Sequence, residues 1–158
     1  MSYEKQISEI KQTIVNLIVH NQDIVDAINN TNIVDPDDLI FQNIWYTFRV
    51  PFVETEKLTY ICIRCDIRES SSSNLINDLD IYLLVVTHED LLYETRDTVA
   101  RGCTLVDYIA GQLEAMLNNR KDIGLKDIRL VSSEEDALDV HHPCRILRFR
   151  GACINKPC

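Results

Sequence analysis

Near the start of the chain, apolar residues recur at Ile7, Ile10, Ile14, Leu17 and Ile18, with Glu4, Lys5, Glu9 and Lys11 between them. Intervals of three and four place the apolar set on one side of a helix and the charges on the other. The pattern predicts a helix over 3–20, capped by Ser2. Burying five such side chains stabilises by about 1.5–3 kcal/mol each before ordering entropy is subtracted, so this face must pack on something. A shorter helical stretch, Asp23 to Asn29, follows a break near Asn21. From Leu58 to Arg68 the period changes to two: Ile61, Ile63, Cys65 and Ile67 alternate with Tyr60, Cys62, Arg64 and Asp66. Ile81 to Thr87 is unbroken and apolar, which suits a central strand covered on both faces. Thr104 heads a third helix whose face is Leu105, Val106, Ile109, Ala110, Leu113, Met116 and Leu117, and Gly124 suits the turn beyond it. Two more strands are predicted at 125–132 and 144–154. In the last, Leu147, Phe149 and Cys153 alternate with Ile146, Arg148 and Arg150.

The connections carry their own signals. Asn29 to Asn32 and Asp35-Pro36-Asp37-Asp38 are turn chemistry, short polar side chains that bond nearby backbone plus a Pro that sets φ. Residues 39–53 hold Phe41, Trp45, Tyr46, Phe48 and Phe52 and are interrupted by Pro51, so they are expected to form an extended arm or an irregular edge. Trp45, Tyr46, Phe48 and Phe52 are candidates for docking a partner. The serine run after Glu69 reads as a hairpin loop, residues 90–101 as loop or weak helix, and Ser133-Glu134-Glu135-Asp136 as an acidic loop joining the last two strands. The element order is α-α-β-β-α-β-β, an α+β fold with a mainly antiparallel sheet packed against helices. A single domain over 1–158 is expected, with the α+β core at 58–155.

At 158 residues such a domain buries roughly 70% of the surface its unfolded chain exposes. The net charge of −9 disfavours a protein that coats duplex nucleic acid, because neutralising phosphates needs clustered Lys and Arg. It is compatible with a protein that DNA slides past, because a negative wall repels phosphates and prevents sticking. No apolar run is long enough to span a bilayer, and the N-terminus lacks a signal-peptide pattern. Six cysteines are then expected as reduced thiols in a cytosolic compartment.

Candidate chemistry is sparse. Cys62 and Cys65 have CxxC spacing, and His142 and Cys144 could complete a zinc set, but the pair sits in an alternating strand where positions three apart face opposite ways. No helix follows to lower a thiolate pKa. His20, His88, His141 and His142 lack a neighbouring nucleophile motif, and Asp35, Asp37 and Asp38 lack calcium-loop spacing, so neither catalysis, a metal nor a cofactor is expected. A small Cys/His metal or thiol enzyme is the alternative from another class. Arg145, Arg148 and Arg150 make the last strand basic inside an acidic chain, and Glu134, Glu135 and Asp136 complement them. A solvated sheet face is one reading. The other is a subunit interface, for which arginine forks are suited and which supports head-to-tail association.

Several stretches together resemble the neck proteins of tailed bacteriophages, the head–tail joining, tail-completion and tail-terminator group. They are Asn21-Gln22-Asp23-Ile24-Val25, Asp37 to Ile44 leading into Val50-Pro51-Phe52, Thr59 to Ile63, and Asp107-Tyr108-Ile109-Ala110. The resemblance implies a homo-oligomer, a six-fold ring that caps the tail tube and docks it to neck and connector proteins. DNA would pass through the lumen without specific binding. It also implies a virion component made in the host bacterial cytoplasm, with no catalytic residues and no membrane partner. A stopper or head–tail adaptor ring is the neighbouring alternative.

Overall fold

A computed structural model describes residues 3–50, 56–69, 76–93 and 102–154. Three helices lie on one side of a five-stranded sheet. They are α1 (Tyr3–Val19), α2 (Gln22–Ile28) and α3 (Leu105–Leu117). The strands are β1 (Ile44–Trp45), β2 (Thr59–Glu69), β3 (Ile76–Thr87), β4 (Lys126–Asp139) and β5 (His142–Ile154), in spatial order β1-β2-β3-β5-β4. Every neighbouring pair is antiparallel except β1 with β2. The α+β class is therefore as expected, with β1 added to the predicted order.

The helices form where the apolar periodicity placed them. Ile10, Ile14, Val15, Ile18 and Val19 of α1 are buried, and all of the expected α3 face is buried except half-covered Met116. The break at Asn21 is a cap: its side chain accepts from the Ile24 N–H, and Asn29 closes α2 in the left-handed region. Thr104 Oγ1 accepts from the Asp107 N–H and starts α3. Ile61, Ile63, Cys65, Leu79, Ile81, Leu83, Val85, Leu147 and Phe149 meet the helices in one core. Gly151 lies in that layer at a close approach, since a Cβ there would stand 3.2 Å from Leu125 Cβ and the leucine would have to give by a few tenths of an ångström.

Three boundaries differ from expectation. Ser133 to Asp136 is not a loop: it lies inside β4 and pairs with Cys144 to Leu147 of β5, and the turn comes later, at Val140–His141. Hydrophobicity could not show this, because distal β4 is exposed on both sides and has no apolar alternation to read. β3 begins five residues earlier than its apolar run, at Ile76, because Asn77, Asp78 and Asp80 pair across the sheet despite their polarity. Of the 39–53 segment, residues 39–50 are described, and they form the irregular edge and not a free arm. A 3₁₀ turn, Pro36–Leu39, leads into β1, and Trp45, Phe48 and Val50 pack on Tyr60, Cys62, Leu84, Val86 and Cys144. Asn43, fully buried, holds this edge in place. Its Nδ2 donates to the Thr59 carbonyl at 2.8 Å, its Oδ1 accepts from Asn30 Nδ2 at 2.8 Å, and its carbonyl accepts from the Ile61 N–H at 2.7 Å. Phe52, the predicted cap Ser2 and the loops at 70–75 and 94–101 lie outside the described residues.

Candidate interaction face

The sheet face turned away from the helices is laid out in rows by the strand register. Tyr60, Val86, Cys144 and Asp136 make the first row, and Cys62, Leu84, Ile146 and Glu134 the second. Arg64, Tyr82, Arg148 and Ser132 follow, then Asp66, Asp80, Arg150 and Arg129, then Arg68, Asp78, Ala152 and Lys126. In the first two rows the residues of β2, β3 and β5 are apolar and covered by the β1 edge, while Asp136 and Glu134 of β4 stay exposed. The last three are charged.

At their centre is Asp80, 0% exposed. Its carboxylate accepts from Arg148 Nη2 at 2.8 Å and Arg150 Nε at 2.9 Å, and Arg68 Nε stands 3.0 Å away. Burial raises the Asp80 pKa, but hydrogen bonds from Arg150 and Arg148 outweigh it and hold the carboxyl below its ordinary value. Arg64 forks onto Asp66, with its Nη2 2.9 Å from Oδ2. The guanidiniums of Arg64 and Arg148 lie 5.3 and 5.7 Å from the Tyr82 ring centre, within cation–π range.

The six residues expected at a subunit interface divide between the two faces, because successive strand residues point opposite ways. Arg145 and Glu135 fall on the helix side. Arg145 donates to Asp107 of α3 at 2.7 Å, to Ser133 and to Glu135, so it braces β4 and β5 against the helix. Arg148, Arg150, Glu134 and Asp136 fall on the open side. There the two arginines turn to Asp80, while Glu134 and Asp136 stand exposed on the margin strand. Asp80, Arg64 and Arg68 were missing from the sequence-derived set. The basic alternation on β5 called for an acidic neighbour, but β3 was read as beginning after Asp80. Of the aromatic docking candidates, Trp45, Tyr46 and Phe48 are half-buried on their own protein; Phe41, which was not among them, is 62% exposed, at φ 64°.

Among the described residues the cysteines do not assemble a site. Cys62 packs on the open side and Cys65 among the helices, so the thiols of the CxxC pair stand on opposite faces of β2. Burial pushes both up to about 12 and Cys144 up to about 11, which keeps them as unreactive thiols. Three imidazoles do meet at the β4–β5 turn. His88 lies 6.2 Å from His141 and 5.4 Å from His142 between ring centres, His141 Nδ1 bonds Glu89, and His142 Nδ1 bonds Asp139. Glu89, through side-chain hydrogen bonding and charge, raises the His141 pKa above its ordinary value. Among the described residues no three His, Cys, Asp or Glu side chains converge as metal ligands, and no helix is long and apolar enough to cross a membrane.

The arrangement defines a two-layer α+β protein with helices on one sheet face and a charged, open surface on the other. A family model described as YomW matches residues 11–150, and the chain belongs to the YomW family. No curated protein matches it.

Proposed function

We propose that this chain is a non-enzymatic structural protein of a phage head–tail junction, a ring-forming tail terminator that caps the tail tube and lets DNA pass through its lumen. The resemblance to phage neck proteins supports the setting. The observation that carries self-assembly is the distal half of the β4–β5 hairpin. β4 is the margin of the sheet. Asn118 and Asn119 bond Leu130 and Ile128 at its base, but from Val131 to Asp139 no described residue pairs with its outer edge. An edge strand of this length is a template for another chain unless something blunts it. Three register shifts and the carboxylates of Glu134, Glu135 and Asp136 blunt it here against indiscriminate pairing, while Val131, Leu138 and 87%-exposed Val140 offer apolar area. A surface left this way in a lone molecule suits a protein that works among copies of itself.

Light scattering on the purified protein, with electron microscopy of the same sample, tests the reading. A closed ring, formed alone or on added tail tubes, is the expected outcome. A strict monomer that forms no ring under either condition overturns it.

A further inference from the structure

We infer that the arginine-rich rows of the open sheet face dock the acidic margin of a second copy of this chain. The inference rests on the self-association proposed above and names the surfaces that carry it. Counted from the register, the last three rows hold Arg64, Arg68, Arg148, Arg150, Arg129 and Lys126 against Asp66, Asp78 and Asp80. Positive charge is in excess there, in a chain whose net charge is −9. The compensating negative charge lies elsewhere, including the β4 margin.

The basic side is held ready for an acidic partner. One buried carboxylate fixes three guanidiniums, and Tyr82 lies under two, so little side-chain freedom remains to be lost on docking. Each guanidinium carries five N–H donors, far more in sum than the two oxygens of Asp80 can accept. Arg148 Nε is buried without a hydrogen-bond partner in the described structure.

The acidic side is equally specific. Glu134 and Asp136 share the open side, one and two rows above Arg148. Their own arginines do not take them up, because Arg148 and Arg150 turn inward to Asp80 on β3, away from β4. Glu135, on the other pleat, is already bonded to Arg145. The margin therefore presents two exposed carboxylates with no basic partner among the described residues: Glu134, and Asp136, which accepts the neighbouring Ala137 N–H at 2.8 Å. Like charges exclude pairing one margin with another, whereas margin against arginine rows matches charge in both directions. Such a contact sets register and partner choice more than raw affinity.

Sedimentation equilibrium on full-length variants tests this. Arg64 is the cleanest basic position, 55% exposed and bonded only to Asp66 and the Tyr82 ring among the described contacts. Arg64→Glu and Glu134→Arg should each weaken self-association by about ten-fold or more at low salt, with an unchanged melting temperature. The double variant, Arg64→Glu with Glu134→Arg, should recover most of the loss. If Arg64→Glu fails to fold, Arg129→Glu replaces it, an exposed position in the neighbouring row. Single variants that associate like the parent overturn the inference and leave the ring reading standing. A closed dimer that obeys the charge swap supports the inference and overturns the ring. A parent protein that stays monomeric both alone and with added tail tubes overturns both, and arginine rows that only bind a short DNA duplex overturn the inference.

Discussion

Asp80 shows how one residue can organise a surface. A fully buried carboxylate is costly unless it is paired, and three arginines pair it. Asp80→Asn would leave those guanidiniums facing one another around a neutral amide. Because the arginines remain partly exposed, the expected loss is near the lower end for breaking a buried pair, about 2–3 kcal/mol by denaturant unfolding. The depressed pKa gives the pH dependence its sign. The folded value lies below the unfolded one, so the stabilisation is complete above about pH 4, the ordinary carboxylate value. It is lost as pH falls through the lower, folded value. Thermal melts of the parent should therefore fall below pH 4 more steeply than those of Asp80→Asn. Equal slopes would show that Asp80 does not carry the effect.

At the scale of elements, α3 is the keystone of the helical layer. It packs on β3, β4 and β5 and on α2, and Ile109 and Leu113 have no exposed surface. Leu113→Ala should cost about 2–5 kcal/mol, the range for a truncated core leucine. Ile109→Asp would force a charge into the same layer, and its product should fail to melt cooperatively by calorimetry. A folded Ile109→Asp protein would mean that the helix presents another face. The β4–β5 pair behaves differently. Its base shares the core through Ile128 and Phe149, while the distal half of β4 buries no side chain and is held by the ladder and by Arg145, which bonds Ser133 and Glu135. That is why the helix was readable from period and the distal strand was not.

For the whole molecule the distinctive property is segregation of charge. Acidic residues dominate the total, yet one sheet face collects arginines from β2 and β5 with cations from β4. Assembly through such faces should respond to ionic strength. Because screening shortens the reach of exposed charges to about 3 Å at 1 M salt, self-association should weaken by about ten-fold or more between about 0.05 and 1 M sodium chloride, roughly the measure expected of the Arg64→Glu variant. Light scattering across a salt series checks it, and association that strengthens with salt would point instead to the exposed Val131, Leu138 and Val140.

The linear chain by itself determined the helices, the alternating faces of β2 and β5, the central place of β3, the break at Asn21 and the cap at Thr104. Each of these follows from local period or from one side chain bonding nearby backbone. Only the tertiary structure decided which charges meet. Asp80 lies 68 and 70 positions from Arg148 and Arg150, and strand register alone makes them neighbours. The same register separated Glu134 from Glu135, turned an expected acidic loop into a strand margin and folded the aromatic segment onto its own sheet. Long-range pairing sets electrostatic partners because charge acts across space, and a short-period pattern along the chain carries no record of it.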